Sequence, residues 1–233
     1  MKKLIIAIVF ILSISSQVLA AKSFDIGILT NSQDRINRVG FRVLNSNRIE
    51  QRVNFRYLPN LSSYNVGTDL KYMYIKRTVY ITPLQMSYVS DDDELAAILS
   101  RRIAQAVDSY DGISRGYGSV INYWVKPQKY NNKADKEAVD FMVNAGYNPL
   151  ALVVVISKET SQRRYEFNDS YSLSTKRMAS VYEYIYTKYP SFLADNQYSD
   201  NIYYQNFLLT SRANRAKLQQ KIETKSEKKV RYK

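Results

Sequence analysis

Asp92-Asp93-Glu94-Leu95-Ala96-Ala97-Ile98-Leu99-Ser100-Arg101-Arg102-Ile103-Ala104-Gln105 is the stretch on which the fold turns. Acidic residues from Asp91 to Glu94 open it, where carboxylates suit the positive end of a helix dipole, and they predict a helix running to about Val107. Asp111-Gly112 ends it, and Gly116 and Gly118 mark a loop. At about 100° per residue, Arg102 falls between Leu95 and Ile98, on the stripe of Leu99 and Ala106. Its charge is therefore expected to point into the protein, where a guanidinium requires a carboxylate.

Working outward, Phe24 to Leu44 carries Ile36, Val39, Gly40 and Val43 at helical spacing and predicts a first helix. Val53 to Leu58 alternates and then meets Pro59, the pattern of a strand and its stop. Tyr72 to Thr82 is aromatic and β-branched, with Lys76-Arg77 interrupting it; it reads as one strand, or two joined by a tight turn, ending before Pro83. Beyond the loop, helices are predicted over Lys133 to Asn144, stopped by Gly146-Tyr147-Asn148-Pro149, then from Leu150 through Ile156 with Ser157-Lys158 as a helix end. Two more follow over Thr175 to Tyr189, ending at Pro190, and Gln205 to about Glu223. The basic tail Lys225 to Lys233 follows, and no internal repeat is present.

The first twenty residues form a unit apart. Lys2-Lys3, eleven apolar residues from Leu4 to Ile14, and Val18 and Ala20 before Ala21 describe a secretory signal peptide. Eleven residues fall short of the ~20 that a spanning helix needs. The expected organisation is thus a signal peptide over 1–20, one domain over 21–210 and a basic C-terminal helix and tail over 211–233, in a periplasmic or secreted protein. The formal charge of +13 falls to +11 when Lys2 and Lys3 leave, which favours anionic partners such as envelope polymers. The chain has neither His nor Cys, so thiolate ligands, disulfides and every Ser-His-Asp or Cys-His device are excluded. Nucleic-acid binding does not fit an exported chain.

The order of elements, with Asp92 to Leu99, Ala134-Asp135 and Ala145-Gly146-Tyr147-Asn148-Pro149, resembles the HtpX-like and CAAX-prenyl-protease-like zinc metallopeptidases, specifically their small soluble periplasmic members. The resemblance covers nearly the whole chain after residue 20. It implies an α+β, mainly α, zincin-like fold with a small sheet beside the active-site helix. In that family H-E-x-x-H supplies two zinc ligands and the base; the matching positions here are Arg101, Arg102 and Gln105. The third ligand opens E-x-x-A-D, and its position is Asn131. A later H-P-x-x-x-x-R matches at Arg177 alone, with Tyr171 and Ser172 in place of His and Pro. The family's aspartate, here Asp135, supports a ligand histidine.

A zinc site needs neutral imidazoles, usually a carboxylate, and an open position for water. Arginine has no lone pair to give, and the oxygens of Gln105 and Asn131 are weak ligands, so zinc and catalysis are expected to be absent. Arg101 or Arg102 is expected to pair with Asp135, as the local positive charge in place of the metal, unless both extend into a wet cleft. The acids from Asp91 to Glu94 read as a solvated helix start rather than a catalytic dyad. The expected function is that of an inactive peptidase homologue that binds a polypeptide, regulating or chaperoning envelope proteins, as a strand added beside Thr78, Val79, Tyr80, Ile81 and Thr82. The alternatives are an active zinc endopeptidase, as family membership would assign, and a binder of anionic envelope polymers.

Overall fold

The structure, a computed structural model, describes residues 31–59, 76–110, 121, 125, 127–162, 170–227 and 230; the side chains of 127, 128, 160–162 and 170–174 lie outside that description. The predicted signal peptide, the start of the second strand segment and the glycine loop also fall outside it.

The described chain is mainly helical, with one two-stranded parallel sheet. Helix α1 spans 31–46 and turns Ile36, Val39, Gly40 and Val43 inward, as their spacing predicts. Strands β1 (Asn54–Tyr57) and β2 (Thr78–Ile81) pair in the register Asn54↔Thr78 to Tyr57↔Ile81. Gly40 is where α1 meets β1: a Cβ there would lie 2.6 Å from Cζ of Phe55, so only glycine admits that ring. Thr82 is not part of β2. It caps α2 (Pro83–Ser87), its side chain accepting from the Gln85 N–H while the Gln85 side chain accepts from the Thr82 N–H.

Helix α3 (Asp92–Asp108) is central, packed by β2, α4 (Pro127–Asn144) and α5 (Leu150–Gln162). Asp91 caps it by accepting from the Glu94 N–H. Leu95 to Ser100 are buried without interruption, so this part of α3 has no solvent face. Ala96, Ala97, Ala104 and Ala106 are small enough to let neighbours close in from several sides. Helix α4 begins six residues before the predicted Lys133.

The segment Gly146-Tyr147-Asn148-Pro149 stops α4 and starts α5. Gly146 takes the left-handed conformation, φ 75°, and the Tyr147 N–H donates to Met142 O at 2.9 Å. The Asn148 side chain accepts from Leu150 N–H, while its own N–H donates to Asp93 at 3.1 Å. Helices α6 (Ser170–Lys188), α7 (Ser191–Ala194), α8 (Ile202–Thr210) and α9 (Arg212–Glu223) complete the described chain. The single last helix expected from Gln205 is two helices, broken at the buried Ser211. Helix α9 lies on α6 and α8 through Leu218, with Lys221 paired to Glu183.

Candidate functional site

Four of the positions singled out in the sequence come together. Asp135 on α4 accepts from Arg101 Nε on α3 at 3.0 Å and, on both its oxygens, from Arg177 Nε and Nη2 on α6 at 2.8 Å each. Arg101 Nη2 also donates to Asn131 Oδ1 at 2.8 Å, one turn before Asp135 on the same helix. The carboxylate side chain is sealed at 1% exposure, and the two arginine side chains are 17% and 15% exposed. Arg177 grips Asp135 with a planar two-bond fork, the strongest geometry available to this pair of groups. Arg101 splits its donors between a charge and an amide.

The electrostatics follow from the two-to-one stoichiometry. Burial alone would raise the Asp135 carboxyl, but Arg177 and then Arg101 outweigh it and hold the group below the usual carboxylate range. Burial and the neighbouring Arg177 hold Arg101 below the ordinary guanidinium value, against the pull of Asp135 and Glu159. Guanidinium remains charged at any pH a folded protein sees, so Asp135 is held between two permanent cations.

Of the two arginines on α3, it is Arg101 that reaches Asp135, although Arg102 lies on the Leu95–Leu99 stripe. Arg102 is half-buried. The single-stripe argument fails because α3 is covered on more than one side. Gln105 is buried one turn beyond Arg101, and its Oε1 meets no hydrogen-bond donor among the described residues. Tyr171 lies in the first turn of α6, with its side chain outside the description. The donor set does not suit a zinc ion: a guanidinium stands where a lone pair is needed, and the Asn131 oxygen is turned onto that cation. Among the described residues, no group of three or more His, Cys, Asp or Glu is placed to hold a metal.

The acidic start of α3 is solvated at Asp91 and half-buried at Asp92 and Asp93, and Glu94 departs from the expectation. Glu94 is fully buried and takes Lys158 Nζ on its two oxygens at 2.8 and 2.7 Å. The same ammonium donates to Tyr88 O and Ser90 Oγ. Asp92 holds Arg35 and Arg38 of α1, and Asp91 accepts from the Tyr198 hydroxyl. Lys158 is therefore no helix end but a buried counter-charge inside α5, a role the sequence signalled only by placing one lysine after an unbroken apolar run. Ser90 Oγ stands 2.9 Å from Lys158 Nζ, yet that ammonium is committed to Glu94, and a general base needs a neutral amine. A cleft lined by Asp93, Asn148 and Asp195 lies at this end of α3 and touches no residue of the arginine cluster.

One edge of the sheet is met by a side chain. Asn54 N–H donates to Arg77 O and Leu58 N–H to Ile81 O, so residues 54, 56 and 58 of the first strand segment face 77, 79 and 81 of the second. The outward backbone groups are then those of Phe55 and Tyr57 on β1 and of Thr78 and Tyr80 on β2. On β1 they are taken by one side chain: Gln33 donates to Phe55 O at 3.2 Å and accepts from Tyr57 N–H at 2.7 Å. Gln33 thus fills the place of a neighbouring strand, a closure nothing in the sequence announced.

Comparison with known proteins finds no matching family model, no similar curated protein and no similar solved structure.

Proposed function

We propose that this chain is a secreted, catalytically inactive relative of the zinc metallopeptidases, zincin-like in fold, that binds an extended polypeptide along the outer edge of β2. The observation that carries the reading is the meeting of residues 101, 131, 135 and 177. The resemblance assigns these four positions to one metal centre, and they lie on three different helices. Arg101 bridges Asn131 and Asp135, which supports reading it as a fixed cation in place of the ion of such a centre. The Lys2-Lys3 and Leu4–Ile14 leader supports export.

Strand addition needs only backbone donors and acceptors beside a sheet, which loss of a metal leaves intact. With Phe55 O and Tyr57 N–H of β1 taken by Gln33, the sheet side proposed for an added strand is that of β2. Val79 and Ile81 point their backbone groups at β1, so proline there would break the sheet itself and report nothing about a ligand. The informative comparison is made on the ligand: an extended heptapeptide against the same peptide N-methylated at alternate residues, which loses the N–H groups that strand addition uses. The N-methylated form is expected to bind roughly tenfold more weakly. Equal affinity for both peptides, or no binding of the parent peptide, overturns the proposal.

A further inference from the structure

We propose that the outer face of α8, together with the basic end of the chain, docks this protein on the surface of an anionic lipid bilayer. Helix α8 reads Ile-Tyr-Tyr-Gln-Asn-Phe-Leu-Leu-Thr and contains no charge. Its inner face is accounted for by Tyr204 and Phe207, which are buried in the core. On a helix that covers a core in this way the opposite face is ordinarily polar or charged. Here the outer stripe is Ile202, Gln205, Asn206 and Leu209, and its two aliphatic ends are 72% and 77% exposed. Seven residues apart, Ile202 and Leu209 lie on one line of the helix surface and can enter an apolar boundary together.

Charge identifies that boundary. Residues 202–233 carry nine Lys and Arg against two Glu, a balance of +7 out of +13 for the whole chain. The cations begin one turn after Leu209, at the exposed Arg212, and include the exposed Lys225. Arg215 donates to Leu208 O at 2.7 Å and Lys221 pairs with Glu183, so α9 is tied to α8 and α6 instead of swinging independently. A soluble polyanion would use the cations and leave both aliphatic side chains in water. A bilayer surface uses both, since apolar side chains enter the headgroup–acyl boundary while Lys and Arg stay at the anionic headgroups. Each cation brought near such a surface adds roughly fivefold in partition, so the charges set the affinity and the aliphatic pair sets the orientation. The helix lies on the membrane and does not enter it as a span: among the described residues no helix is long and apolar enough to cross.

The chain has no cysteine, so a single introduced one takes a label cleanly. The full chain carrying Leu209→Cys with an environment-sensitive nitrobenzoxadiazole dye is mixed with vesicles of equal parts phosphatidylglycerol and phosphatidylcholine. The dye is expected to brighten severalfold and shift to the blue. It should stay unchanged with phosphatidylcholine alone, and so should the same dye at the exposed Glu50→Cys between α1 and β1. Independently, Ile202→Ser with Leu209→Ser is expected to lower partition onto the mixed vesicles roughly tenfold while the fold is kept, because both side chains are on the surface. Failure to bind the mixed vesicles, a dye at position 209 that stays in water on bound protein, or equal partition of the serine pair each overturns the proposal. An equal dye response to soluble polyphosphate also overturns it, and would assign the face to an anionic polymer.

Discussion

At the first turn of α3, Glu94 meets Lys158 one to one and both side chains are sealed, at 0% and 7% exposure. Two turns further along, Arg101 is the second of two arginines on one carboxylate, and both arginines reach partway to solvent. The first arrangement is electrically closed, with the ammonium shared among Glu94, Tyr88 O and Ser90 Oγ. The second sets two arginines on one carboxylate and is less fully covered. Two ion clusters on one helix are thus built differently: one fixes how α5 sits on α3, and the other ties α3 and α6 to one carboxylate of α4.

The closed pair gives the largest expected effect. Removing one partner leaves a charge buried in an apolar surround, so Lys158→Met or Glu94→Gln alone should cost about 3–5 kcal/mol. Removing both as Glu94→Leu with Lys158→Met leaves no stranded charge, and should recover at least half of that loss. Urea unfolding of the three variants measures it. A double variant as damaged as the singles would mean that the pair contributes more than mutual neutralisation.

For the open cluster the carboxylate is the member that matters. Asp135→Asn leaves two guanidinium groups facing each other, but both reach water, so about 2–3 kcal/mol is expected. Its pH dependence has a definite sign. Asp135 is held below the usual carboxylate range, so its contribution is complete above the unfolded value, about pH 4, and is lost as pH falls through the depressed native value. The stability gap between the parent and Asp135→Asn should stay flat from neutral pH to about pH 5 and close only in stronger acid. A gap that widened on acidification would contradict the assignment.

How far the sequence announced this difference depends on the residue. Apolar spacing placed α1 through Ile36, Val39 and Val43, and α5 through its unbroken run, because burying one face or a whole helix leaves a periodic trace. The pairing of an α3 arginine with the Asp135 carboxylate was expected too, but not which arginine would make it. That choice depends on the alanines that let neighbours close around α3, and a helical wheel with one inside does not describe such a helix. The pairing of Glu94 with Lys158 spans 64 positions, and no local pattern encodes a partner at that distance. The break at Ser211 carries neither Gly nor Pro, so no local signal in the sequence marked it. The closure of β1 by Gln33 depends on one amide being within reach of two backbone groups, which only the fold decides.

The smallest expected effect separates the two clusters most sharply. Arg101→Met removes one hydrogen bond to Asp135 and one to Asn131, yet Arg177 keeps both oxygens of the carboxylate in its fork. The substitution turns a two-to-one cluster into a neutral pair and relieves the repulsion from Arg177 that, with burial, disfavours the Arg101 charge. Loss of two bonds is offset by loss of that repulsion and by the apolar cover that methionine supplies, so the change should lie within about 1 kcal/mol of zero. Thermal unfolding at neutral pH decides it. A cost near that of Lys158→Met would place Arg101 in the scaffold beside Glu94. A value near zero would leave Arg101 as a cation that stability does not require, beside a carboxylate that Arg177 already satisfies.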